Sequence, residues 1–489
     1  MKISKKTRDL ISYLIGGTVV FIGTILLIAI ATGWQYDIRT GELRETGLIL
    51  MGSEPTGATI RVNDQDITQV TNYRYQNAPL GNYALSYQKA DFRPWKAQVE
   101  ATAGEVTFAD YAWLIPNEVP TRQRYADFSL TTATQSTDRK RFVFIEQRPA
   151  AAPGVLPPPR LFTSTDLSRP PVLLLDPSTT PSQATLGVAN YDSLQMSEDG
   201  SQLLMRATLK DGSIRWQTLA TNPSSTPALR DITQDFTISP SWISWWSNSN
   251  TELSYVEKGV LRRLQLRDQR ISEALASSVV HASWNKEWLV IITQPQPTGA
   301  PELRIRPADG NDNQLVSKLA SQNTSYATKY FRVLNRDYLA VLGSESKVIT
   351  LFSNVLRDSN RQTSSIVARN VTAFTVSPDG RFLVHNANET LVTIDFERYR
   401  RYRFNTPLTG LTNWSWMNDQ HLAMITGGKL QLVDYDGQNS EILTQDINPA
   451  TPILFSENKS LLVFTQPVTT PNTPAKLQQI FLNPERILE

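Results

Sequence analysis

Residues 10–36 carry no charged side chain, and residues 10–31 (LISYLIGGTVVFIGTILLIAIA) are almost wholly apolar. Those 22 residues, at about 1.5 Å rise each, make a helix that spans a hydrocarbon layer of about 30 Å. Trp34 and Tyr36 follow where interfacial aromatics sit, and Lys2, Lys5, Lys6 and Arg8 precede the run. The pattern predicts a transmembrane helix over 10–32, with a cytoplasmic basic tail of residues 1–9 and the bulk of the chain outside. A cleaved signal peptide is the rival: Ala29-Ile30-Ala31 resembles a cleavage site. The apolar run exceeds the 7–15 residues typical of such leaders, which favours the uncleaved anchor. No later window reaches that apolar length, so a single pass is expected.

Residues 33–46 (GWQYDIRTGELRET) are polar and read as a juxtamembrane connector. Short alternating runs then begin. Residues 48–51 (LILM) are apolar, 53–58 (SEPTGA) form a turn cluster, and 59–63 (TIRVN) alternate as a strand. A second cluster at 78–83 (APLGNY) precedes the alternating residues 84–88 (ALSYQ), and 96–115 read as a last strand pair turning at Ala103-Gly104. This segment, residues 47–118, resembles the PEGA domain, a small bacterial surface β-sandwich named after a Pro-x-Gly-Ala turn. The resemblance rests on Ser53, Pro55, Gly57 and Ala58, on Val62-Asn63-Asp64, on Leu80-Gly81-Asn82-Tyr83 and on Asp91-Phe92. Thr56 and Glu54 depart from the usual lettering, and Asn63-Asp64-Gln65 stands where an Asp-Gly turn is common. The resemblance implies an adhesive or spacer module in which Pro55, Gly57, Ala58 and Gly81 define the fold rather than a site.

From about residue 124 the chain repeats: an alternating strand, a Ser/Asp/Asn turn, an apolar strand, then a third strand and a variable loop. Units begin near 127, 191, 236, 280, 326, 371, 411 and 449, and the steps from 191 onward run from 38 to 46 residues. That period with several short strands per unit predicts four-stranded blades, hence a seven- or eight-bladed β-propeller over 124–489. Seven applies if residues 124–175 and the C-terminus share one closing blade. Residues 377–384 (SPDGRFLV) and 197–204 (SEDGSQLL) resemble the Ser-Pro-Asp-Gly turn of TolB-like and WD40-like propellers. Asp199, Gly200, Ser377, Pro378, Asp379 and Gly380 are then turn-forming residues, the aspartates capping the hairpin backbone. Residues 149–160 (PAAAPGVLPPPR) and 468–475 (VTTPNTPA) read as stiff loops. The fold class is thus all-β, after one N-terminal helix.

Composition narrows the chemistry. The chain of 489 residues has a formal charge of +2. Residues 1–10 alone carry +3 in side-chain charge and the remainder −1, so the excess reports membrane orientation and not a nucleic-acid surface. There is no cysteine, which excludes disulfides, thiolate metal sites and Cys nucleophiles. His281, His385 and His421 lie in separate units at different offsets, a poor basis for a metal centre. No GxSxG, HExxH, P-loop or GxGxxG motif occurs. No catalytic residue, metal ligand or cofactor is expected.

Two clusters remain as candidate binding surfaces. Trp242, Trp245 and Trp246, with Trp284, Trp288, Trp414 and Trp416 at similar phases, read either as sugar-stacking rings or as wedges between blades. Arg398, Arg400, Arg401 and Arg403, interleaved with Tyr399 and Tyr402, read either as a patch for an anionic polymer or as a charged edge strand. The expected partners are the lipid bilayer, through residues 10–32, and an envelope protein or cell-wall glycopolymer. The expected role is that of a membrane-anchored extracytoplasmic binding or scaffold protein of the bacterial envelope. The alternative is a propeller enzyme of glycosidase or lyase type with carboxylates in its central funnel.

Overall fold

A computed structural model describes residues 5–37, 41–148, 156–180, 183, 186–223, 228–295, 299–310, 312–320, 323–356, 362–387, 390–404, 409–449, 451–456, 460–466 and 475–483. Lys5–Ala31 is one α-helix of 27 residues, α1. Its side chains are described over 13–29, and among the described residues no helix is long and apolar enough to cross a membrane. The chain divides into two compact units, Met1–Val119 with Leu482–Glu489, and Pro120–Phe481.

In the first unit two four-stranded sheets form the sandwich. One pairs Trp34–Asp37, Glu42–Glu54, Tyr73–Pro79 and Val106–Trp113, with the last strand parallel to Glu42–Glu54. The other orders Gln65–Val70, Thr59–Val62, Gly81–Gln88 and Trp95–Ala101. The expected connector is therefore a hairpin: Trp34 to Asp37 pair with Glu45 to Glu42. Both faces of that hairpin are largely exposed, so it lacks the apolar alternation that marks a strand in sequence. Ile49, Ile60, Leu85, Tyr87, Trp95 and Ala109 fill the core. Tyr87 stacks on Trp95 at 4.8 Å and donates its hydroxyl to the Ala109 carbonyl at 2.8 Å. The Asn63-Asp64 departure keeps a tight two-residue hairpin, because both residues take positive φ (50° and 64°), which Asn and Asp tolerate.

The second unit contains, among the described residues, eight four-stranded antiparallel sheets. Their first strands are Leu130–Gln135, Val188–Met196, Trp242–Trp245, Val279–Asn285, Tyr326–Val333, Phe374–Val376, Leu411–Trp416 and Leu454–Phe455, defining blades 1 to 8. First strands of blades 1 and 2, and of blades 3 to 6 in succession, touch one another, so they line the axis. Residues 130–175 make a blade of their own. The outer strand of blade 8 is Thr121–Arg124, which pairs antiparallel with Lys476–Phe481. Among the described residues the array thus starts before residue 124, ends at Phe481, and has eight blades.

The apolar second strands show what holds the ring. Trp288–Thr293 sends Leu289 and Ile291 into the core with blade 3, and Val290 and Ile292 into the core with blade 5. Phe142–Glu146 likewise gives Phe142 and Phe144 to blade 8, and Val143 and Ile145 to blade 2. A strand buried on both faces reads as an unbroken apolar run, which is why these strands are legible without alternation. The Pro-rich stretch falls between the second and third strands of blade 1, and 468–475 between those of blade 8. Residues 149–155 and 467–474 of these loops lie outside the described residues.

Candidate functional site

The hairpins joining first to second strands build one end of the channel. In blades 1, 2 and 6 they share one bonding scheme. Ser136, Ser197 and Ser377 donate their hydroxyls to Asp138, Asp199 and Asp379 at 2.5, 2.6 and 2.5 Å. Each serine oxygen also accepts the amide five residues on, at 3.0, 3.0 and 2.9 Å. Each aspartate accepts the amide two residues on, at 3.1, 3.0 and 3.0 Å. The turn so satisfies its own polar groups. Burial works against charge on Asp199, but the Ser197 and Ser201 hydroxyls, the Ser201 amide and Asn250 outweigh it and hold the carboxyl down at about 2. Asn250 reaches from blade 3 at 2.7 Å.

Gly200 and Gly380 have positive φ (67° and 87°), and a Cβ on either would meet the neighbouring hairpin, 2.9 Å from Ser136 Cβ and 2.7 Å from the Arg332 carbonyl. Arg139 occupies the same turn position in blade 1 with φ 62°. Its guanidinium donates to the Met417 carbonyl at 2.6 Å and lies over the Phe455 ring at 4.9 Å. It thereby ties the blade 1 hairpin to blades 7 and 8. In blade 7, Asp419 accepts the Asp379 amide at 3.0 Å. Burial and the Asp379 charge push its carboxyl up, against that amide bond and Arg139.

Within this end, blades 4 to 7 enclose a funnel of about 640 Å³. Lys286, Glu287, Trp288, Lys329, Arg332 and the Ser377–Gly380 turn line it. Lys329 opens to the channel, and the surrounding protein, helped by Lys286, pulls its amine below the ordinary lysine value. Arg332 is held by Asp337 at 2.8 Å. The funnel therefore sets Lys286, Lys329 and Arg332 of blades 4 and 5, with Glu287 among them, against Asp379 of blade 6. Thr131–Thr134, Asn190–Leu194, Asn413 and Thr451 line a second cavity, of about 580 Å³, in which Asp192 is bound by Arg206 at 2.5 Å. That cavity is polar but carries no other charged side chain. Charge is concentrated at the hairpin end.

Four of the tryptophans, Trp245, Trp246, Trp284 and Trp416, make contacts across neighbouring blades. Trp245 is buried and donates Nε1 to the Gln195 carbonyl of blade 2 at 3.1 Å. Trp246 is buried edge-to-face with Trp284 at 4.8 Å, under the Arg263 guanidinium. Trp284 donates to the Ser254 hydroxyl of blade 3 at 2.8 Å. Trp416 is buried with its ring stacked on Phe382 of blade 6 at 6.2 Å. Buried rings present no face to a sugar, so Trp245, Trp246 and Trp416 act as wedges, with the half-buried Trp284 packed against Trp246; the size and polar tip of the indole suit that role. The histidines stay apart, on blades 4, 6 and 7. His281 bonds Thr328, and burial lowers it to about 4; burial lowers His385 as well. His421 packs against Asp434 at 3.3 Å and Asn418 at 2.9 Å.

Arg400 and Arg401 are exposed on the outermost strand of blade 6, Arg400–Arg403, which pairs with Thr390–Asp395. Pro55, Gly57 and Ala58 form the sandwich turn: Gly57, at φ 81°, donates its amide to the Thr71 carbonyl at 2.8 Å, and the Ala58 amide meets the Thr71 hydroxyl at 2.9 Å. Gly81 has φ 140° and leads into Tyr83, which is buried with its hydroxyl on the Pro79 carbonyl at 2.7 Å. Sequence reasoning missed Arg139, Lys286, Lys329 and Asp419. For Arg139 a signal existed, since Ser136-Thr137-Asp138 precedes the apolar residues 142–145 as in the two recognised turns. The others lie in blades with no shared lettering.

Residues 46–112 match the PEGA domain family model. No curated protein matches the chain in sequence. Among solved structures, an oligogalacturonate lyase in complex with manganese is 12% identical, covering 76% of this chain and 100% of its own, with a TM-score of 0.42. Porphyromonas gingivalis dipeptidyl peptidase 4 is 10% identical over 72% of this chain and 58% of its own, with a TM-score of 0.44. The RRP9 WD40 repeats are 10% identical over 59% and 93%, with a TM-score of 0.37. The chain carries a PEGA domain followed, after residue 119, by a β-propeller of eight four-stranded blades.

Proposed function

We propose that the protein is a membrane-anchored extracytoplasmic binding or scaffold protein of the bacterial cell envelope, single-pass, with its N-terminus in the cytoplasm. The anchor reading is supported by the 22-residue apolar run of 10–31 behind a basic tail. It is supported too by apolar helix side chains with no protein cover, such as Leu14 at 68% and Phe21 at 66% exposure. The single observation that carries the binding reading is the charged funnel at one end of the channel, in which burial, helped by Lys286, pulls the Lys329 amine below the ordinary lysine value. Like charges kept together in a concave site fit an anionic or zwitterionic partner. The test is photo-crosslinking in intact cells from positions 286 and 329 of the full chain, with protease shaving of whole cells. Expected are shaving of the propeller from outside and discrete crosslinked species; protection from shaving, or no crosslink at either position, sinks the reading.

The enzyme alternative has one observation in its favour: Asp419 beside Asp379, with its carboxyl pushed above the ordinary range. Turnover of an acidic glycan by the purified full chain, lost in Asp419→Asn, would establish it.

A further inference from the structure

The cavity of about 580 Å³ takes no part in the charged funnel, and the two share no lining residue. Its wall comes from the first strands of blades 1, 2 and 7 and from Thr451-Pro452, just ahead of the first strand of blade 8. Each of the three strands is irregular where it meets the cavity. In blade 1, Leu130 pairs with Glu146 and Thr132 with Ile145, which leaves Thr131 as an extra residue. In blade 2, Asp192 pairs with Arg206 and Gln195 with Leu204, so Ser193 and Leu194 together oppose the single residue Met205. Ser193 takes φ 47° there. In blade 7, Leu411 pairs with Thr426 and Asn413 with Ile425, which leaves Thr412 extra. The first strands of blades 3, 5 and 6 pair without such a shift. A bulge re-aims the side chains beside it and breaks the run of backbone groups that an added strand would need. The cavity is thus shaped for recognition by side chains and not for pairing with an extended peptide.

Those side chains are mainly hydroxyls and carboxamides. Two of them brace the wall: Thr131 donates to the Ile145 carbonyl at 3.4 Å, and Asn413 to the Thr451 carbonyl at 3.1 Å. Among the described residues, the side chains of Thr132, Thr134, Asn190 and Ser193 take no hydrogen-bond partner from the protein, and all four are at least partly exposed. Hydroxyl and carboxamide groups both donate and accept. Asp192 is the charged residue of the lining and is held by Arg206 at 2.5 Å, so the wall offers an anionic guest a carboxylate and no cation of its own. The half-buried Leu194 and Pro452 set apolar surface beside the polar groups.

An uncharged ring with several hydroxyls on a C–H framework matches that mixture. Its hydroxyls donate and accept as the wall does, and its C–H faces cover the apolar patches. We propose that the cavity is a binding site for a short neutral saccharide. Its volume lies in the range of small-molecule pockets. The assignment goes beyond the role given to the funnel and does not depend on it.

The test uses the full chain in a detergent without a sugar headgroup, titrated calorimetrically with maltotriose and, separately, with tri-N-acetylchitotriose. Tri-galacturonate and an acetylated tetraglycine amide serve as the anionic and peptide counterparts. Expected is saturable binding of at least one neutral trisaccharide, with an affinity that stays within about 2-fold as salt rises. Thr134→Val, which keeps the volume and removes the hydroxyl, and Asn190→Ala each weaken it about 3-fold or more. Thr363→Val, on the exposed outer strand of blade 5, leaves it unchanged. No saturable binding of either neutral probe overturns the proposal, and so does tighter binding of tri-galacturonate or of the peptide. Trisaccharide binding that survives both Thr134→Val and Asn190→Ala overturns it too, because the sugar then sits elsewhere. Crosslinks at 286 and 329 report on the funnel alone, so the failure of either site leaves the other standing.

Discussion

Single residues decide whether adjoining hairpins can meet. Gly380 is the sharpest case, because its φ of 87° and the Arg332 carbonyl 2.7 Å from a would-be Cβ exclude a side chain on two counts. Gly380→Ala should cost about 2 kcal/mol, read as a lowered Tm of the full chain. Asp199 acts through charge. Its carboxyl sits at about 2 in the fold against 3.8 unfolded, so its stabilisation is complete above 3.8 and is lost as pH falls toward 2. Asp199→Asn should therefore lower Tm at pH 7, and the difference from the parent should close by pH 2. His281 has the opposite chemistry. Held neutral at about 4 against 6.5, it leaves stability intact above 6.5 and erodes it as pH drops through that window. His281→Gln should flatten the dependence of Tm on pH between 6.5 and 4, and an unchanged slope would contradict the assignment.

At the scale of the strand, the governing fact is burial on both faces. Leu339 and Val341 of Arg336–Gly343 face the core with blade 4, and Ala340 and Leu342 face the core with blade 6. Each second strand is a partition between two cores, so a cavity at one position weakens the interface on the side that residue faces. Leu339→Ala should cost about 2–5 kcal/mol by denaturant titration. An ion pair within blade 6 is a second element-scale device. Arg381 joins Asp395, whose side chain has no exposure, and also Glu397. Arg381→Ala would strand a buried carboxylate and should cost about 3–5 kcal/mol, whereas the double change Arg381→Met, Asp395→Leu should recover most of the loss.

At the scale of the molecule, closure of the ring matters most. Blade 8 is completed by Thr121–Arg124, more than 350 residues away along the chain from Lys476–Phe481. The Phe481 amide bonds the Pro120 carbonyl at 2.9 Å, and antiparallel alternation then makes Arg122 and Gln479 a hydrogen-bonded pair. Arg122→Pro removes that donor and should cost about 3 kcal/mol. Hydrogen exchange should quicken first in Ser460–Thr465 and Lys476–Phe481; uniform quickening around the ring would mean that the closing strand is not a distinct latch.

The sequence by itself determined the things that depend on local pattern. The apolar second strands, the Ser-x-Asp turns, the approximate 45-residue period and the sandwich glycines are all written in consecutive residues, because strand burial and turn chemistry are local requirements. The outer strands were far less legible: Arg270–Ile271 has two residues and Gln314–Lys318 is mostly exposed, so neither leaves an apolar trace. The hairpin at Trp34–Glu45 was hidden for the same reason. Only the tertiary structure decided the rest. It put Thr121–Arg124 in the last blade, turned Trp245, Trp246 and Trp416 into wedges, and brought Lys286 to Lys329. Such groupings arise from the radial packing of blades, which brings side chains from separate repeats to one end of the channel, and no spacing along the chain encodes that.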